Sequence, residues 1–368
     1  QPPATGHPGA GPPRMSEHCL ILNVWAPAGG GSGRPVMVWI HGGALNNGSG
    51  TAAMYDGSHL ARRNAVVVTL NYRLGRLGFF DHPALAAERP AGEAAGNYGL
   101  MDVIAALKWV RANIGAFGGD ASNVTVFGES AGGLLVTRLM IAPQAQGLFD
   151  RAIVQSGLGR ESVAYLDRKG PRGEPSARER GELFAQGAGL TTAADLRAAA
   201  PERFLTPSPN FSAGDLSIVD GRIITGTVEA TFRAGRQSQV PMMIGTNSAE
   251  FWWMRPTDRT PYGAIDDDMT WLERAYAIEA YGGLDGFDRQ AVTDLVFAEP
   301  ARRLARLHAA AGRQAYLYRF DVTSSANPEP HGGASHAVER PYVFETLNIL
   351  PYPAEARDRA GSRAMAGY

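Results

Sequence analysis

The sequence predicts an α/β fold, a mostly parallel central sheet with helices on both faces. Three observations carry this. Short β-branched apolar runs alternate with helical stretches, one of those runs is apolar on both faces, and a Gly-x-Ser-x-Gly turn sits between a strand and a helix. Residues 20–25 read as a first strand, ended by Pro27 and the Gly/Ser loop 29–33, and residues 35–40 as a second. Residues 65–71 form a third, apolar on both faces as covered central strands are. Residues 100–114 have the spacing of an amphipathic helix, which Gly115 is expected to close. Residues 123–127 alternate as a strand, and residues 133–140 continue as a helix. Residues 151–155, 241–245 and 315–320 supply the later strands. Residues 1–14 read as an irregular Pro/Gly-rich surface segment. Residues 158–240 read as a variable helical and loop region, with 167–180 as an exposed loop. No repeat or linker cuts the chain, so residues 1–368 are expected to form one catalytic domain.

Composition narrows the function. The 368 residues are 44% hydrophobic and 19% charged, an ordinary globular balance. The net charge is −1 with both signs interspersed, which gives neither a basic surface for nucleic acid nor a polybasic run for anionic lipid. No apolar run approaches the ~20 residues needed to span a bilayer. The single cysteine, Cys19, has no activating motif around it.

The chemistry concentrates at Gly128-Glu129-Ser130-Ala131-Gly132. Between a strand and a helix, this pattern is a nucleophile elbow: a sharp turn with glycines beside the serine that leaves the hydroxyl of Ser130 exposed. A serine needs a base, an acid to orient it and an oxyanion hole, and no metal or cofactor. In α/β-hydrolase folds the order is nucleophile, acid, histidine, so the base is sought late in the chain. His308 lies in a helical run and reads as a surface residue. His331 and His336 share a Gly/Ser/Pro-rich loop after a strand, and both are candidates. Local chemistry favours His336, which leads into the packed-looking stretch 338–344. Glu250 follows the strand 241–245 and is correctly placed for the acid. His41-Gly42-Gly43-Ala44 follows the second strand and offers backbone N–H groups to an oxyanion, joined by that of Ala131. His41 precedes the serine and reads as shaping that loop.

Taken together, these segments resemble the type-B carboxylesterase family, the cholinesterase-like α/β-hydrolases, and within it the bacterial esterases of the para-nitrobenzyl type. The resemblance rests on Ser16-Glu17-His18-Cys19-Leu20-Ile21-Leu22-Asn23-Val24-Trp25 and Val38-Trp39-Ile40-His41-Gly42-Gly43-Ala44. It extends through Asn71-Tyr72-Arg73-Leu74-Gly75, Leu77-Gly78-Phe79 and Gly96-Asn97-Tyr98-Gly99-Leu100-Met101-Asp102. The stretch 113–133, with Phe117-Gly118-Gly119-Asp120, and Gln155-Ser156-Gly157 complete it.

The resemblance implies hydrolysis of a small-molecule carboxylic ester, with Ser130 as nucleophile, Glu250 as acid, His336 as base, and Gly43, Ala44 and Ala131 as oxyanion donors. Ser156 is expected to hydrogen-bond near the acid, and Glu129 to support the triad from beside the serine. The same triad would serve a thioesterase, amidase or lactonase, and the fold also hosts non-catalytic scaffold and adhesion proteins. Three departures stand out: His18 where the family has Asp, Leu45 where it often has Phe, and Ala249-Glu250-Phe251 for its usual Asp-Glu-Gly. With Trp252 and Trp253 alongside, the last two bear on pocket shape. Family members carry roughly another 60–80 residues upstream of the position of Gln1, and a further tail. They pair the Cys19 equivalent with a cysteine just upstream, which implies an exported parent, periplasmic or secreted.

Overall fold

The structure, a computed structural model, describes residues 15–157, 164–171, 173–205, 218–251, 277–326 and 332–368. The expectations for residues 1–14, Trp252, Trp253 and His331 fall outside these.

The main sheet has seven strands. They are β1 (Leu22–Trp25), β2 (Arg34–Ile40), β3 (Val66–Leu70), β4 (Gly119–Glu129), β5 (Arg151–Gln155), β8 (Met242–Asn247) and β9 (Ala315–Phe320), in the order β1-β3-β2-β4-β5-β8-β9. The short strands β6 (Ala164–Tyr165) and β7 (Ile218–Val219) pair with each other. In the main sheet only β1 runs antiparallel to its neighbour. The α/β-hydrolase architecture expected from the sequence is the one observed.

Both faces of the sheet are covered. Val38, Ile40, Val68 and Val126 pack with Leu107 of the helix Tyr98–Asn113 and Leu135 of the helix Ala131–Ile141. On the other face Trp39 meets the rings of Phe127, Tyr55 and Phe344 at centroid distances of 4.8, 5.0 and 5.0 Å. This explains why every residue of β3 is buried. A central strand with two covered faces has no solvent side on which to place a polar residue.

Register places the chemistry. Ile40 pairs with Gly128, Glu129 with Gln155, and Gln155 with Gly245. The C-terminal ends of β2, β4, β5 and β8 therefore stand side by side. The chain leaves them at His41, Ser130, Ser156 and Ser248, and ligand sites of open α/β sheets lie at such strand ends.

Local structure departs from expectation at three places. The helix Tyr98–Asn113 is followed by a 3₁₀ turn, Ile114–Phe117, and the left-handed closing residue is Gly118 at φ 80°, not Gly115. The supposed loop 167–180 ends early, because Ser176 and Glu179 form a reciprocal capping box that starts the helix Ala177–Gly187. His308 is fully buried rather than on the surface. Ala301, Leu304, Ala305 and His308 share the inner face of the helix Glu299–Ala310, and the imidazole meets Val240 O at 2.8 Å and Gln237 Nε2 at 3.1 Å.

Candidate active site

The elbow is built by close backbone approach. A Cβ on Gly132 would lie 1.9 Å from Ile40 O, and one on Gly128 would lie 2.6 Å from the Gly132 carbonyl carbon. Neither glycine has positive φ, so the reason for glycine here is space, not conformation. The positive φ falls on Ser130 itself, at φ 57° and ψ −123°. Such a conformation costs on the order of 1–3 kcal/mol in a non-glycine residue. It is over-determined here by two backbone bonds: Ser130 N–H donates to Gln155 O at 2.9 Å, and Ser130 O accepts from Leu134 N–H at 2.8 Å.

Ser130, His336 and Glu250 meet although 206 and 86 residues separate the bonded pairs. Nε2 of His336 lies 2.8 Å from Ser130 Oγ, and Nδ1 lies 2.5 Å from Glu250 Oε2. A carboxylate can only accept, so Nδ1 carries the proton and Nε2 is left to accept from the serine hydroxyl. Glu250 is fully buried, and its other oxygen takes two donors: Ser156 Oγ–H at 2.5 Å and Asn247 N–H at 2.8 Å. Those donors hold the carboxylate in one orientation. Ser156 reaches it from the end of β5 through a strained backbone, φ 47°. Phe251, at φ 45°, sets its ring at a tilt 4.5 Å from that of His336, and Phe297 lies at 5.3 Å, so the imidazole has an apolar wall.

The imidazole is pulled in two directions. Burial opposes its charge, but the carboxylates of Glu250 and Glu129, the hydrogen bond to Glu250 and Glu339 outweigh burial and raise its pKa above the ordinary histidine value. Glu129 ends β4 with Oε1 3.3 Å from Nε2 of His336. Burial pushes the Glu129 carboxyl upward against the pull of His336 and Arg340. Burial, with Glu129 and Glu250 nearby, pushes Glu339 up to about 8.

The Gly43–Ala44 segment runs past this group. Gly43 has φ 110° and Ala44 φ 56°, and among the described residues neither N–H is spent on a hydrogen bond. A Cβ on Gly43 would lie 2.3 Å from Asn47 O. Ala131 is the first residue of its helix, so its N–H has no carbonyl one turn back to receive it. His41 stays beneath the loop: its ring stacks on Tyr72 at 4.5 Å, and Nδ1 lies 2.8 Å from Gly42 O. Burial, opposed by that hydrogen bond, lowers its pKa to about 4.

Sequence reasoning named Glu129 but missed the groups around it. Glu339 and Arg340 stand three and four residues beyond His336, and Asn247 Nδ2 donates to Glu339 Oε2 at 2.6 Å. Two charged residues inside an otherwise apolar run, 338–344, were the available signal. Among the described residues no group of three His, Cys, Asp or Glu side chains could hold a metal ion, and no helix is long and apolar enough to cross a membrane.

A serine, histidine and carboxylate in hydrogen-bonded series, beside a loop with unspent N–H groups, can carry out nucleophilic acyl transfer. The comparisons with known proteins agree with a chain of that class. The model of the carboxylesterase family matches residues 1–282 and 288–368, and the chain belongs to that family. It is 37% identical over 347 residues to a fumonisin B1 esterase of Sphingopyxis macrogoltabida, covering 90% of this chain and 62% of that protein. It is 36% identical to a para-nitrobenzyl esterase of Bacillus subtilis, covering 94% of this chain and 70% of that one. Among solved structures it resembles a PNB esterase with a TM-score of 0.78 at 34% identity, over 96% of this chain and 75% of that one. It also resembles a Geobacillus stearothermophilus carboxylesterase with a TM-score of 0.80 at 32% identity, over 99% and 77%. The chain thus spans about two thirds of the length of these two curated relatives.

Proposed function

We propose that the protein hydrolyses carboxylic esters through an acyl-enzyme on Ser130. The observation that carries the reading is the unbroken series Glu250–His336–Ser130, at 2.5 and 2.8 Å, with the carboxylate wholly buried. His336 takes the proton from Ser130 as Oγ attacks the ester carbonyl carbon. Glu250 keeps the imidazole in the tautomer that can do so and balances the imidazolium that results. The carbonyl oxygen, now an oxyanion, is received by the N–H groups of Gly43, Ala44 and Ala131. Each preorganised donor is worth ~3–4 kcal/mol in the transition state. His336 passes its proton to the leaving alcohol, then deprotonates a water that attacks the acyl-enzyme, and returns that proton to Ser130 Oγ as the bond from Oγ to the acyl carbon breaks and the acid leaves.

The kind of substrate follows from the relatives' names, both esterases, and from the apolar wall of Phe251 and Phe297 at the base. The test is hydrolysis of p-nitrophenyl esters of increasing acyl length by the protein and by Ser130→Ala. The reading expects a loss of at least ~10³-fold in kcat for the variant. Equal activity in Ser130→Ala would defeat it.

A further inference from the structure

We infer that Arg340 is a positioning residue for this reaction: its guanidinium is the counter-charge that keeps Glu129 ionised and facing Nε2 of His336. There Glu129 steadies the imidazolium formed when Ser130 gives up its proton. The inference rests on the triad reading above.

Four observations support it. The Glu129 side chain is only 1% exposed, and neither of its oxygens has a hydrogen-bond partner. A buried carboxylate in that position takes up a proton unless nearby positive charge prevents it. Its two oxygens face the base and a guanidinium, His336 Nε2 at 3.3 Å from Oε1 and Arg340 Nε at 3.9 Å from Oε2. His336 is neutral in the resting triad, which leaves Arg340 to supply the charge.

Arg340 is also fixed. Its Nε–H donates to Ala337 O at 2.8 Å, and Nη1–H donates to Tyr55 Oη at 3.2 Å. It opens the short helix Arg340–Val343, four residues beyond His336, so one segment delivers both the base and the charge. The remaining ionisable groups in the cluster are acids: Glu250 and Glu339 beside His336, and the phenols Tyr55 and Tyr318. Without the guanidinium the cluster would hold three carboxylates and no permanent cation.

A structural spacer and a counter-charge predict different results. In Arg340→Leu, every proton in the cluster is bound more tightly. The acidic limb of kcat/KM therefore moves up by about half a pH unit or more, and kcat falls about tenfold while KM changes within about twofold. Arg340→Lys, which keeps the charge, restores the limb. In a Glu129→Gln background, Arg340→Leu produces a clearly smaller shift, because only its direct effect on His336 remains. Carboxyl ¹³C NMR of Glu129, assigned by its loss in Glu129→Gln, shows the group titrating at higher pH in Arg340→Leu. Arg340→Gln is read in the same way should Arg340→Leu not fold. The inference is overturned if the limb and the Glu129 resonance stay where they are in a folded, neutral Arg340 variant. It is equally overturned if the shift persists undiminished in Glu129→Gln. The NMR titration does not need turnover, so it separates this failure from failure of the triad, which Ser130→Ala tests.

Discussion

The two halves of the site are held by different forces. At Ser130, backbone fixes the geometry: Gly128 and Gly132 let strand, elbow and helix approach within distances that no Cβ permits. At Glu250 and His336, side chains fix it. Ser156 and Asn247 hold Glu250, and Ser248 Oγ accepts the N–H of Ala334 at 2.7 Å and donates to Asp321. Asn247 Nδ2 also donates to Ser335 O at 2.7 Å, directly before the base. The Ser130 end can therefore fail only with the local fold, whereas the Glu250–His336 end can lose precision one hydrogen bond at a time.

This contrast can be broken most severely at Gly132. Gly132→Ala forces a methyl to 1.9 Å from Ile40 O, where only backbone can move. The expected result is a loss of more than ~3 kcal/mol of stability in denaturant unfolding, with activity lost alongside. An alanine variant of native stability and activity would show that the elbow has slack. At the other end, Ser156→Ala removes one of the two donors to Oε1 of the buried Glu250 carboxylate. The expected cost is ~1–3 kcal/mol of stability and a fall of about 10–100-fold in kcat, with the fold retained by circular dichroism. Unchanged kcat would mean that Asn247 suffices.

Two pH experiments sharpen the same contrast. His41 belongs to the backbone side and its folded pKa, about 4, lies below the ordinary 6.5. The unfolded chain then binds a proton that the folded one does not. Stability present above pH ~6.5 is lost as pH falls towards ~4, by up to ~3 kcal/mol for this one group. Urea unfolding across that window should show the slope, and His41→Gln should flatten it relative to the parent. His336 belongs to the side-chain end, and its pKa is raised. As the proposed base it must be neutral to act, so kcat/KM should fall as pH drops through a value above the ordinary histidine value. The smallest effect is expected at His308→Gln, outside the site: a stability loss of ~1–2 kcal/mol with kcat unchanged.

Legibility follows the same division. Strand positions were readable because period and β-branching are local, and β5 and β9 match the expected residues in full. The elbow was readable for the same reason, as its glycines, serine and flanking elements lie within a few residues of one another. The choice between His331 and His336 was only partly readable, because local chemistry leaned to His336 without excluding His331 and the family pattern was needed to separate them. His308 was misplaced although its neighbours Ala301, Leu304 and Ala305 carry the inward face one turn at a time. The partnership of Arg340 with Glu129 and Tyr55 could not be seen at all. It depends on which strand ends lie side by side, and register across a sheet is not written in any one segment.

The central claim is a covalent acyl group on Ser130, and mass spectrometry of the protein quenched during p-nitrophenyl acetate turnover tests it most directly. The account predicts an acetyl adduct confined to the peptide that contains Ser130, formed with a burst of p-nitrophenol and absent from Ser130→Ala. Steady hydrolysis with neither burst nor adduct, or an adduct on another residue that persists in Ser130→Ala, would contradict it.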